Sequence, residues 1–122
     1  MFDNAWATPA CTTTRASMLT GKHGINSGVT YVPAKLDESI QTLPRLLKAD
    51  NASASHQMAV FGKWHLGGGT STATHPNDSG IEHYAGNLTN LDDYYHWQLT
   101  ENGVTTTSNE YHTSKVPDLA ID

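Results

Sequence analysis

Cys11 and Arg15 stand four residues apart, a spacing that on a helix puts both side chains on one face a turn apart. If Cys11 opens that helix, the partial positive charge of the helix N-terminus and the Arg15 guanidinium together favour a thiolate and an anionic ligand. Composition alone favours a plainer arrangement, a small buried cysteine beside a solvated arginine, because free cysteine is among the most buried residue types. A second island, Gly62-Lys63-Trp64-His65-Leu66-Gly67, offers a cation and an imidazole two residues apart. On a strand they would share a face, with Trp64 turned the other way, and such a pair suits a tetrahedral oxyanion. An ordinary, partly exposed strand with polar residues is an equally good reading of this island by itself.

The elements that must position these groups follow from local signals. Arg15 to Thr20 forms a short helix that Gly21 stops, which leaves Cys11 at or near a helix N-terminus. Ile40, Leu43, Leu46 and Leu47 fall on one helical stripe, and Pro44 restricts that helix to a start near Thr42 or Leu43, with Asp50-Asn51 closing it. Gln57 to Phe61 is a short apolar run of strand length leading into the second island, so that Lys63 and His65 lie at a strand end before a glycine-rich turn. Helix, loop and buried strand is the rhythm of an α/β sheet. Beyond Thr70 the pattern weakens. The alternation from Gly103 to Tyr111 predicts at most an exposed hairpin, and Ser114 to Asp122 reads as the beginning of a helix.

Charge and composition exclude several classes. The 122 residues carry 7 Lys plus Arg against 12 Asp plus Glu, a net charge of -5, with no basic stripe to attract a nucleic acid or an anionic membrane surface. No apolar run is long enough to cross a bilayer, and no basic and apolar leader is read at the N-terminus. A single cysteine precludes an internal disulfide and leaves the redox compartment open. The histidines are widely and irregularly spaced, without a zinc-type pattern. Asp92-Asp93 reads as a solvated turn rather than a metal ligand pair. Asn51, Asn77 and Asn87 open glycosylation acceptors in form only.

The run Pro9-Ala10-Cys11-Thr12-Thr13-Thr14-Arg15-Ala16-Ser17-Met18-Leu19-Thr20-Gly21 resembles the signature of the sulfatases of the alkaline phosphatase superfamily. Gly62 to Gly67 resembles that family's second motif. The order of the two motifs, the helix between them, and a weaker likeness through His75-Pro76, Gly80 and Gly86 extend the resemblance over nearly the whole chain. It departs in two places. Thr13 stands where the family commonly has Pro or Ala, and Asn51 to Gln57 replaces a short glycine-containing turn.

The resemblance implies an α/β fold, part of an alkaline phosphatase-like sandwich with helices packed on a mainly parallel sheet. It also implies that residues 1–122 are a fragment of an N-terminal catalytic domain. By the same resemblance Cys11 is converted to formylglycine by a formylglycine-generating or other sulfatase-maturing enzyme. Its hydrate attacks the sulfur of a sulfate ester and also meets a divalent cation, usually calcium, whose other ligands lie outside this chain. Arg15 would hold the formylglycine, Lys63 would bind sulfate oxygens, and His65 would hydrogen-bond the hydrate or the ester oxygen. The implied substrate is a sulfated small molecule or carbohydrate, and related enzymes are often exported. Two alternatives stand beside this: a phosphate mono- or diester hydrolase of the same superfamily, and a non-catalytic binding or assembly remnant.

Overall fold

The first helix, α1 (Cys11–Thr20), is rich in hydroxyl residues that are poor helix formers, so its surroundings decide its shape. Its N-cap, Ala10, provides no side-chain cap. The first turn is tied by threonines instead: Thr13 Oγ1 donates to the Ala10 carbonyl at 3.0 Å, and Thr14 Oγ1 to the Thr8 carbonyl at 2.8 Å. Thr12 and Ala16 are buried, and Gly21, in the left-handed conformation at φ 67°, closes the helix with its N–H on the Ser17 carbonyl. The helix begins a full turn before Arg15, which makes Cys11 its first residue. The computed structural model describes residues 3–121; Met1, Phe2 and Asp122, which bound the first and last segments read from the sequence, lie outside them.

A four-residue helix α2 (Gly24–Ser27) follows, then α3 (Leu43–Ala49) with Pro44 in its first turn and Asp50 as its C-cap. Only part of the apolar stripe of α3 is covered: Leu43 and Leu46 remain 51% and 56% exposed. Strand β1 (Ala59–Phe61), helix α4 (His75–Asp78), strands β2 (His83–Gly86), β3 (Trp97–Glu101) and β4 (Val104–Ser108), and helix α5 (His112–Ile121) complete the order.

The sheet runs β1-β2-β3-β4. β1 and β2 are parallel, in the register Ala59 to His83 through Phe61 to Ala85, while β2/β3 and β3/β4 are antiparallel. Within this segment the α/β sheet is therefore mixed. The stretch from Gly103 to Tyr111, expected to form at most an exposed hairpin, supplies β4, which pairs with β3 as the outer half of this sheet. The core joins α1 to the sheet through Ala16, Val29, Ala34, Leu36, Trp64, Leu66, Ile81 and Tyr84.

β1 ends with its apolar run at Phe61 and does not continue as a strand through Lys63 and His65. Gly62 turns the chain at φ 99°, a conformation that only glycine adopts without strain, so Lys63 to Leu66 form a loop and not a strand continuation. Gly86 is required for a different reason. A Cβ there would meet the Gly62 carbonyl oxygen at 2.0 Å, because the two chains approach closely where both strands end. Tyr84 Oη donates to that same carbonyl at 3.0 Å.

Candidate functional site

The loops leaving the carboxyl ends of β1 and β2 run side by side. The Trp64 N–H donates to the Asn87 carbonyl and the His65 N–H to the Leu88 carbonyl, each at 2.9 Å. These two ladder bonds fix where Lys63 and His65 leave the sheet, at the strand ends where open α/β sheets collect ligands. Trp64 is anchored from the other side, its Nε1 donating to Nδ1 of the fully buried His75 at 2.9 Å. His75 in turn donates from Nε2 to the Leu36 carbonyl at 3.0 Å. The residue between the two candidate groups is thus pinned in the core, and Lys63 and His65 project from either side of it.

Both reach Cys11. The Cys11 Sγ lies 3.1 Å from His65 Nδ1, in hydrogen-bond contact, and Lys63 Nζ donates to the same sulfur at 3.6 Å. Thr12 Oγ1 is 3.4 Å from His65 Nδ1. Arg15 does not use its shared helix face to hydrogen-bond Cys11. Its Nη1 donates to the Lys63 main-chain carbonyl at 2.5 Å, tying α1 to the loop, and Arg15 and Cys11 line one shallow cavity. The four candidates, separated by some fifty residues of chain, occupy one place. Their link through a loop rather than a strand face is a correction to the geometry expected from the sequence.

Cys11 is exposed, not buried as composition favoured. Partial loss of water pushes its thiol up, but the Lys63 ammonium, with hydrogen bonds from Thr12 and Lys63, outweighs this and leaves the thiol below its usual range. His65 is nearly buried, and burial, followed by the charges of Lys63 and Arg15, holds its imidazole below the ordinary value and so neutral at pH 7. Its backbone is also unusual, at φ 55° in the left-handed region.

Around Cys11 stand an ammonium, a neutral imidazole and a hydroxyl, a set of donors suited to an anion. Among the described residues no group of three or more His, Cys, Asp or Glu side chains is placed to hold a metal ion. Calcium takes several oxygen ligands, and the described side chains around Cys11 do not by themselves make up such a set.

Residues that sequence reasoning left aside complete the surroundings. Lys63 lines a cavity of about 520 Å³ with Asn87, Asn90, Tyr94 and His112 among others. His112 hydrogen-bonds Asn87 Oδ1 through Nε2 at 2.9 Å and therefore borders that cavity. Nothing in the polar stretch from Asn87 to Tyr94 marked it as a wall, since its position depends on β2, which carries a weak local signal. Among the described residues no helix is long and apolar enough to cross a membrane.

Comparison with known proteins gives a consistent result. A family model described as Sulfatase matches residues 1–122. The chain is 32% identical over 122 residues to an N-acetylglucosamine-6-O-sulfatase of Bacteroides thetaiotaomicron, covering 99% of this chain and 20% of that protein. It is 36% identical over 85 residues to arylsulfatase G of Mus musculus, covering 66% of this chain and 15% of that protein. Among solved structures, BT4656 in complex with its substrate D-glucosamine-2-N,6-O-disulfate superposes with a TM-score of 0.74 at 31% identity, over 98% of this chain and 22% of that one. The chain spans about a fifth of the length of the curated relatives it matches.

Proposed function

The chain belongs to the sulfatase family, and from that premise we propose that it forms part of the catalytic domain of an enzyme hydrolysing sulfate esters at Cys11. The observation that carries this reading is the convergence of Lys63 Nζ and His65 Nδ1 on the Cys11 sulfur, at 3.6 and 3.1 Å. Oxidation of Cys11 to formylglycine by a maturing enzyme would supply a hydrate with two hydroxyls, one to displace the alcohol from sulfur and one whose deprotonation releases sulfate.

The chain's own residues do the rest. Lys63 binds the sulfate oxygens and offsets charge that shifts as the ester bond breaks, most effectively where water is excluded. His65, neutral and held by main-chain contacts on both sides, is placed to take or give a proton at Nδ1, the atom facing residue 11. Arg15 locks the Lys63 carbonyl, so the loop keeps its register against α1. The calcium ion implied by family resemblance would take its ligands from outside this chain, and no step here runs through it. The substrate in this reading is a sulfated sugar or another sulfated small molecule, as in the relatives named above.

The test uses the complete polypeptide, produced with and without a sulfatase-maturing enzyme. Mass spectrometry of the Cys11 peptide should show loss of the thiol mass only with that enzyme. Hydrolysis of a sulfate ester should appear with the conversion and exceed hydrolysis of the matched phosphate ester. A protein that cleaves the phosphate ester faster, or neither ester when converted, sinks the proposal.

A further inference from the structure

Among the described residues Lys63 has no carboxylate partner. The ion pairs among those residues join Lys35 to Glu38, Lys48 to Glu82 and Lys115 to Glu110, and Asp92, which lines the same cavity as Lys63, makes none with it. The ammonium instead donates to the side-chain carbonyl of Asn90 at 2.6 Å, a contact shorter than its 3.6 Å approach to the Cys11 sulfur. Asn90 stands on the loop after β2, the loop whose main chain is laced to Trp64 and His65 through Asn87 and Leu88.

A lysine side chain has four rotatable carbons and a strongly hydrated head, so an unheld ammonium samples many positions. A carboxylate would hold it but cancel its charge. An amide oxygen holds it through a dipole and leaves the full positive charge to face an anion. We propose that Asn90 is the positioning residue for Lys63, fixing the ammonium beside residue 11 without neutralising it. Asn90 acts through Lys63 and needs no contact with the reacting atoms. The inference rests on the anion-binding reading of the site given above.

The experiment is a double-mutant cycle on the complete, converted protein with Asn90→Ala, Asn90→Asp, Lys63→Ala and Lys63→Ala/Asn90→Ala. It measures kcat and KM on a sulfate ester and the affinity for inorganic sulfate. Asn90→Ala should lower kcat by roughly 10- to 100-fold, the range for losing a group that orients a functional residue, with KM little changed because the charge remains. Asn90→Asp should instead raise KM and weaken sulfate binding by about tenfold or more, since a carboxylate pairs with Lys63 and faces the anion. In the Lys63→Ala background, Asn90→Ala should have almost no further effect.

An additive cycle, with Asn90→Ala equally damaging whether or not Lys63 is present, overturns the proposal while leaving sulfate-ester hydrolysis by the parent intact. Equal effects of Asn90→Ala and Asn90→Asp on KM also overturn it, because charge would then not matter. If the parent hydrolyses no sulfate ester yet binds sulfate with this pattern of variants, the positioning role stands and the catalytic reading falls. If the parent neither binds nor hydrolyses, both fall. Thermal melting of each variant separates loss of fold from loss of position.

Discussion

His65 combines a nearly buried imidazole with a left-handed backbone at φ 55°, a conformation that costs an L-residue roughly 1–2 kcal/mol relative to the right-handed one. Its N–H bond to Leu88 and its contact with Cys11 hold it there. Glycine adopts that backbone freely, so His65→Gly and His65→Ala should both lose on the order of 100-fold or more in turnover, the scale for losing a preorganised group. His65→Gly should nonetheless melt higher than His65→Ala, by about 1 kcal/mol in stability. An alanine variant as stable as the glycine one would show that this backbone is not kept in solution. Lys63 gives a companion prediction: Lys63→Ala in the converted protein should lose on the order of 100- to 1,000-fold in turnover, whereas Lys115→Ala, whose partner is Glu110 on the surface, should change it little. Near-parental turnover for Lys63→Ala would reduce Lys63 to an ordinary loop residue.

At the scale of elements, the loop between β1 and Gly67 depends on His75, which accepts from Trp64 at Nδ1 and so must stay unprotonated there. Burial lowers its pKa from 6.5 against the opposing pull of the Leu36 carbonyl and Glu38. A histidine depressed in the folded state stabilises the fold fully above the unfolded value of 6.5 and loses that contribution as pH falls from there through the depressed value, because the unfolded chain binds the proton first. The complete protein should therefore melt at lower temperature at pH 5.5 than at pH 7.5. The shift should be smaller in His75→Gln, although His65 and His112, depressed likewise, retain part of it. An unchanged shift in the variant would remove His75 from the account.

The same elements show where the sequence could be read. Helices α1 and α3 and strand β1 carry local punctuation, in Gly21, Pro44 and a short apolar run, and were legible. Strand β2 is four residues, His83 to Gly86, with no alternation, and exists because neighbouring strands pair with it, whereas β3 alternates Trp97-Gln98-Leu99-Thr100, a short strand signal that could have been read. With β2 unread, the loop carrying Asn87 and Asn90 had no place, and the Lys63 cavity was out of sight. The convergence on Cys11 was legible because motif order and spacing carry it, but the bend at Gly62 that delivers it was not. That bend answers to Ala85 and Gly86, more than twenty residues away in sequence.

At the scale of the whole molecule, β1 pairs only with β2 among the described residues, and beside it lies an apolar groove of about 500 Å³ bounded by Met18, Leu19, Leu43, Leu47, Met58 and Val60. A free strand edge next to an uncovered apolar surface favours association. Produced alone, the 122-residue segment should self-associate at micromolar concentration in light scattering, and a stable monomer would contradict this. The lacing of the two loops has a different kind of consequence. Because Trp64 and His65 are tied to Asn87 and Leu88 through main-chain atoms alone, those ties are indifferent to which side chains the second loop carries. Mutational drift from residue 91 to residue 95 can then remodel the rim of the cavity while the loop beside Cys11 keeps its geometry. In evolutionary terms, the scaffold separates what must be inherited unchanged from what is free to diversify, and a library built on those rim positions is the natural place to look for altered specificity.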